Sequence, residues 1–158
     1  MKAILFIGLP SSGKTTYIEN NQLNNDYKIV SADEIKASHP DFNPKDPEPL
    51  HQWSVKEAER LMNEYSDQKI NICMDSGGVN NSYSLRIINM LKDKGYYIKI
   101  IHMDTPLDVC LERNRNRERF VPEEAIIEKS YKIDSCVEKQ KSIADEYLKI
   151  FFKKNLVK

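Results

Sequence analysis

The chain has 158 residues, 40% of them hydrophobic and 30% charged, which is an ordinary balance for one globular domain with a sizeable core. The net charge of zero argues against broad, non-specific nucleic-acid binding but permits a local basic patch. No apolar run approaches the roughly 18 residues of a membrane span, and the N-terminus lacks the pattern of a signal peptide. Cys73, Cys110 and Cys136 lack metal-ligand spacing, so we expect reduced thiols and a cytoplasmic protein.

The chain begins with an apolar run, residues 4–7, and a glycine-rich segment, residues 8–16, that fits the pattern G-x-x-x-x-G-K-[ST]. A strand before the segment and a helix after it are the context that this pattern requires. Glycines let the backbone approach a phosphate closely, and the N–H groups of the loop converge on the anion at the start of the helix. Lys14 is expected to reach the β- and γ-phosphates, and the Thr15 hydroxyl to ligate Mg²⁺. We therefore predict a nucleotide-binding P-loop formed by Gly8, Ser11, Ser12, Gly13, Lys14, Thr15 and Thr16.

A second strand is predicted over residues 27–31, after an Asn-rich turn, which makes a βαβ unit and a parallel sheet. Asp33 and Glu34 follow at its carboxyl end, where ligands bind in open α/β sheets. A carboxylate there is suited to accept a proton from an attacking hydroxyl or to hold Mg²⁺ through water. The same residues also suit a helix start, with Ser31 as the cap.

Residues 38–49 contain four of the seven prolines and predict a loop at the rim of the site. His39 in this loop is either a substrate contact or simply solvated. Residues 50–67 have the apolar spacing of a helix, and we expect Trp53 on its core face; the alternative is a platform on which a base stacks.

A third strand is predicted over residues 69–74, and Asp75 follows it. A carboxylate at the end of an apolar strand in a P-loop chain suggests a ligand for a Mg²⁺-bound water or an anchor for an arginine. The alternative is a turn residue before the helix over residues 82–94.

A fourth strand is predicted over residues 96–103, with His102 structural, and a helix follows from Pro106. Helices are then predicted over residues 122–133, with Tyr131 among the apolar positions, and 134–148. Residues 150–152 predict a short final strand before a basic tail.

Four arginines alternate between residues 113 and 119, ahead of Phe120, Val121 and Pro122. Arg113 and Arg117 are four residues apart, which places both guanidinium groups on one helical face. The planar fork of arginine grips phosphate oxygens in pairs and neutralises charge on a moving phosphoryl group. A solvated charge run is the alternative.

These motifs resemble the P-loop kinases related to the bacteriophage polynucleotide 5′-kinase. In that family an Asp after the second strand is the general base toward the 5′-hydroxyl, which Asp33 matches. A basic residue three positions later helps to hold the substrate; the resemblance implies this role for Lys36, although the family has arginine there. Asp75-Ser76 matches the Asp-Ser/Thr of the family, and Arg113, Arg117 and Val121-Pro122 match its lid.

The chain is also similar to the zeta-toxin kinases, which phosphorylate a nucleotide sugar, in residues 32–36 and in His39-Pro40. Those enzymes are usually longer, and their arginines are arranged differently. Acidic residues between positions 41 and 48 would repel a nucleic-acid backbone if they line the cleft.

We therefore predict a single three-layer α/β/α domain over residues 1–158, with about five parallel strands and a lid at about 113–122. We expect it to transfer the γ-phosphoryl group of ATP, with Mg²⁺, to a hydroxyl, most simply the 5′ end of DNA or RNA. The acceptor identity, ATP against GTP, and the oligomeric state stay open. A small-molecule kinase, a P-loop ATPase that acts as a switch or motor, and a binding module without catalysis are the alternatives.

Overall fold

A computed structural model of the chain describes residues 1–119 and 121–153. Its core is a five-stranded sheet in the order β2-β3-β1-β4-β5. All four pairings between neighbouring strands are parallel. The strands are β1 (Lys2–Ile7), β2 (Lys28–Ser31), β3 (Ile72–Asp75), β4 (Tyr97–Asp104) and β5 (Glu146–Phe151). The predicted five-stranded α/β fold is therefore confirmed.

Six α-helices in the described part of the chain connect and cover these strands: α1 (Lys14–Asn20), α2 (Ala32–Ala37), α3 (His51–Asp67), α4 (Asn81–Asp93), α5 (Leu107–Arg115) and α6 (Glu123–Ile143). Short polar residues begin two of them. The Ser31 hydroxyl accepts a hydrogen bond from the backbone N–H of Glu34 at the start of α2. The Asn80 side chain accepts one from the N–H of Tyr83 at the start of α4. Both caps satisfy N–H groups that have no partner within the helix.

The sheet is buried on both faces, as expected for a parallel sheet covered by crossover helices. Along β1, Ala3, Leu5 and Ile7 pack on one side with residues of α3, α4 and α6. Ile4 and Phe6 face the other side and pack with Ile18 of α1. Side chains alternate between the faces of a strand, so one short apolar run serves both layers of the core.

The C-terminal part of the chain differs from the sequence-based expectation. The helix predicted to reach residue 148 ends at Ile143, and β5 begins at Glu146 rather than at residue 150. The strand pairs with β4 from Lys99↔Glu146 to Asp104↔Phe151, and the Asp145 carboxylate accepts the N–H of Ile98 at 2.8 Å. These long-range hydrogen bonds outweigh the local helical preference.

Two aromatic residues that were expected in the core lie on the surface: Trp53 is 40% exposed and Tyr131 is 82% exposed. The buried face of α3 consists of Ser54, Ala58, Met62 and Ser66, each four residues from the next, and Trp53 lies one position off this face. The strand β3 is also shorter than expected, since Lys69 has a left-handed backbone with φ of 58°.

None of the helices in the described residues is long and apolar enough to cross a membrane. Residues 154–158 of the predicted basic tail, and Phe120 of the predicted lid, lie outside the described residues.

Candidate active site

The P-loop connects the central strand β1 to α1 and has the backbone of an anion cradle. Ser11 and Gly13 both have positive φ, 67° and 102°. The N–H of Gly8 donates to the carbonyl of Gly77 at 3.0 Å, which holds the loop against the segment after β3. The buried Thr105 hydroxyl donates to the carbonyl of Ser12 at 2.7 Å. The loop is therefore fixed from both neighbouring strand ends.

Lys14 lies folded over the loop. Its Nζ donates to the carbonyls of Gly8 and Leu9 at 3.2 and 3.0 Å. Burial lowers the pKa of this ammonium, while the carboxylates of Asp75 and Asp33 act in the opposite direction. A buried cation whose contacts are neutral oxygens is ready to exchange them for phosphate oxygens.

Thr15 and Asp75 meet where β3 ends. The Thr15 hydroxyl donates to Asp75 Oδ2 at 3.4 Å. Burial raises the pKa of the Asp75 carboxyl; Lys14 opposes this shift and the negative charge of Asp33 adds to it. A cation beside this carboxylate would relieve both effects.

The donor set fits Mg²⁺, which prefers oxygen ligands and keeps several waters. Within residues 1–119 and 121–153, no three His, Cys, Asp or Glu side chains cluster as a metal site. Thr15 and Asp75 would therefore hold the ion together with phosphate oxygens and water.

Asp33 lies in the first turn of α2, and its side chain is 64% exposed. It faces a cavity of about 1660 Å³ that the P-loop and Asp75 also line. The carboxyl ends of β1, β2 and β3 are neighbours in the sheet, so three separate parts of the sequence meet at one edge.

Two arginines reach across to the P-loop. Arg113 Nη1 donates to the Ser11 carbonyl at 3.2 Å, and Arg117 Nη1 donates to the Ser11 hydroxyl at 2.8 Å. Burial lowers the pKa of Arg117, and the positive charge of Arg119 adds to this shift. Arg115, which lies between these two arginines in the sequence, instead forms an ion pair with Glu123 at 2.6 Å.

One side chain, that of Asn114, connects the two ends of the segment that contains the arginines. The buried Asn114 side-chain amide donates to the Val121 carbonyl at 2.7 Å and accepts the N–H of Val121 at 3.3 Å. The described residues between 115 and 119 form a loop above this pair, which we call the arginine loop.

Lys36 lies at the end of α2 and lines the same cavity, with only 6% of its surface exposed. Its Nζ is 3.3 Å from Nδ1 of His51, the first residue of α3. Burial lowers the pKa of both groups, and the Lys36 ammonium lowers the pKa of His51 further.

No motif in the sequence singles out His51 or Arg119 as a site residue. His51 is the second residue after the proline-rich loop predicted at the rim, and this position is the signal that the sequence offers. Arg119 Nη1 is 3.9 Å from Asp33 Oδ2, which links the arginine loop to the carboxylate.

The other two histidines lie outside the cavity lining. His39 packs edge-on against Trp53 at 4.9 Å between ring centroids. The buried His102 is structural, as expected, since its Nδ1 is 2.8 Å from the Tyr147 hydroxyl.

Comparisons with known proteins give relatives of this fold. The chain is 26% identical over 137 residues to the L-seryl-tRNA(Sec) kinase of Methanococcus maripaludis, covering 84% of this chain and 52% of that protein. The chain thus spans about half the length of this curated relative.

Two solved structures match over most of the chain. A chain of the PezAT chromosomal toxin-antitoxin system of Streptococcus pneumoniae superposes with a TM-score of 0.73, at 18% identity, over 95% of this chain and 68% of that chain. A chain of the Pnkp1/Rnl/Hen1 RNA repair complex gives 0.63, at 20% identity, over 87% and 45%.

A protein-family model described as an AAA domain, AAA_33, matches residues 4–131. This range runs from β1 through the P-loop, Asp33, Asp75 and the arginine loop into α6. The chain therefore belongs to this AAA-domain family and is a kinase-like P-loop domain.

Proposed function

We propose that this chain transfers the γ-phosphoryl group of ATP to a hydroxyl, and that the acceptor is the 5′-hydroxyl of a polynucleotide. One observation carries the proposal: a phosphate cradle, two arginines over the cradle and an exposed carboxylate all line one cavity. The cradle and arginines provide a donor side, and Asp33 provides an acceptor side.

The donor side uses Lys14 and the N–H groups of the P-loop for the β- and γ-phosphates. Thr15 and Asp75 would hold Mg²⁺, which would offset negative charge on the phosphates when bound. Arg113 and Arg117 exchange their contacts with Ser11 for oxygens of the transferring group. Closing the arginines over the phosphates also excludes water, which suppresses hydrolysis of ATP.

On the acceptor side, Asp33 accepts the proton of the attacking hydroxyl. A bond forms between the acceptor oxygen and the γ-phosphorus as the bond from that phosphorus to the β–γ bridging oxygen breaks. ADP leaves, and the phosphorylated acceptor and one proton on Asp33 remain.

Three observations favour a nucleic-acid acceptor. Basic side chains outnumber acidic ones in the cavity lining, which suits a polyanion. The curated relative is named for a kinase that acts on an aminoacylated tRNA. The residues Asp33, Asp75, Arg113 and Arg117 match the motifs of the polynucleotide kinases.

A small-molecule acceptor such as a nucleotide sugar is the second candidate. Glu48, from the acidic part of the proline-rich loop, does line the cavity and would repel a nucleic-acid backbone. The likeness of the fold to a toxin-antitoxin protein adds a reason to test this class.

The test is transfer from γ-labelled ATP or GTP to 5′-hydroxyl DNA and RNA oligonucleotides, nucleosides and nucleotide sugars. Labelled oligonucleotide is the expected product. If only a nucleotide sugar becomes labelled, the acceptor is a nucleotide sugar and not a polynucleotide. ATP hydrolysis at a rate that no acceptor changes would indicate a P-loop ATPase. Nucleotide binding without hydrolysis or transfer would indicate a binding module.

A further inference from the structure

A second groove lies against the arginine loop. It measures about 510 Å³ and is lined by Ala37, Phe42, Pro44, Arg117, Glu118 and Arg119. Arg117 and Arg119 also line the central cavity, so the two spaces share a wall. We propose that this groove, which we call the outer groove, binds the second nucleotide of the acceptor strand, with its base on Phe42 and its phosphate at Arg119. The inference rests on the proposed function and names a binding site for the rest of the substrate.

The wall opposite the arginine loop is fixed before any ligand arrives. The N–H of Phe42 donates to the carbonyl of His39 at 3.0 Å, and the N–H of Asp41 donates to His39 Nδ1 at 3.0 Å. The His39 ring packs on Trp53 of α3. This turn presents the half-buried Phe42 and Pro44 to the groove, and an aromatic face of this kind stacks a base of any sequence.

Arg119 provides an N–H group for which the described residues offer no hydrogen-bond acceptor. Its Nη1 is shielded from solvent and has no hydrogen-bond partner within residues 1–119 and 121–153. Its nearest carboxylate oxygen, Asp33 Oδ2, lies 3.9 Å away, beyond hydrogen-bonding distance. A buried N–H without a partner is costly, so an anion that accepts a hydrogen bond there is favoured.

The position of Arg119 gives the direction of the acceptor. It lies beside Asp33, where the reacting 5′-hydroxyl is proposed to bind, and it also lines the outer groove. A strand whose 5′ end reaches Asp33 therefore brings its next phosphate to Arg119 and its next base to Phe42. A nucleoside has neither a phosphate to reach Arg119 nor a second base to stack on Phe42.

The test compares thymidine, which has no phosphate, with 5′-hydroxyl oligothymidylates of two, three and five nucleotides. Stacking of one base together with one charge-assisted contact predicts a KM at least about tenfold lower for the trinucleotide than for thymidine. We expect Phe42→Ala to remove much of this gain while leaving the KM of thymidine unchanged, and Phe42→Tyr to restore it. Arg119→Gln should also reduce the gain. Arg115→Gln is the matched control: it removes a neighbouring arginine that pairs with Glu123, and it should not reduce the gain.

Binding of a 3′-fluorescein trinucleotide, with a non-hydrolysable ATP analogue present, separates this proposal from the proposed reaction. Length-dependent binding that Phe42→Ala abolishes supports the outer groove even if no phosphoryl group is transferred. Transfer without any effect of length, or a length effect that Phe42→Ala retains, overturns the outer groove alone. Absence of both transfer and binding overturns the outer groove and the polynucleotide acceptor together.

Discussion

Replacing Asp33 with Asn tests the acceptor side most directly. Asparagine has nearly the same shape but does not accept the proton of the hydroxyl. Positioned general bases contribute about 10²- to 10⁴-fold in rate, or about 2.7 to 5.4 kcal/mol of the barrier. We therefore expect kcat to fall by about 10²- to 10⁴-fold.

The effect of this change on folding should be small by comparison. The Asp33 side chain is 64% exposed, and its ion pair with Arg119 is at 3.9 Å, so the pair adds about 0–1 kcal/mol to stability. Loss of one negative charge from the first turn of α2 costs about 0.3–1 kcal/mol. Neither loss unfolds a domain of ordinary stability.

Glu34→Gln is the matched control. Glu34 is the next residue of the same helical turn, lines the same cavity and loses the same charge. Initial rates with labelled ATP, ATP affinity by calorimetry and thermal unfolding should be measured for both variants. We expect both to bind ATP and to unfold near the wild-type temperature, with only Asp33→Asn inactive. An active Asp33→Asn variant, or equal loss in both variants, would refute the role of general base.

Three further predictions concern the donor side and the core. Lys14→Met should weaken ATP binding about tenfold to a hundredfold in calorimetry without unfolding the chain, because one charge-assisted phosphate contact is lost; unchanged affinity would contradict this role. Gly78→Ala should lower the free energy of unfolding, measured in urea, by about 2–5 kcal/mol, because Gly78 has φ of 68° and a Cβ there would lie 2.8 Å from the Phe6 carbonyl oxygen. Gly77→Ala is the control and should lower it far less, since the nearest atom to a Cβ at Gly77 is 3.5 Å away. Burial raises the pKa of Cys73 to about 12 and that of Cys110 to about 11 from 9.0, so neither thiol should react with a disulfide reagent at pH 8 until the chain unfolds. Above pH 9 the unfolded thiols lose protons that the folded ones keep, so stability should fall between about pH 9 and 12, and this fall should be smaller in Cys73→Ala.

The C-terminal region and the aromatic residues show where local patterns were insufficient. Residues 144–148 have no strong period of their own, and β5 forms there because β4 offers an edge with hydrogen-bond partners. Trp53 lies at helical spacing from other apolar residues. It is nevertheless one residue away from the buried face of α3, so its side chain lies at the surface. Such outcomes depend on which neighbours are present, and local sequence does not contain that information.

The sequence by itself determined the P-loop, because this motif is a continuous segment whose glycines, lysine and threonine act through local backbone geometry. It also placed Asp33 and Asp75 at strand ends, and the order of the strands made those ends neighbours. Only the tertiary structure decided which residues lie around the proposed acceptor site. The meeting of Lys36 with His51, of Arg119 with Asp33, and of Phe42 with the arginine loop joins residues far apart in the chain. These contacts depend on how helices and loops pack on the sheet, and no local residue pattern encodes that packing.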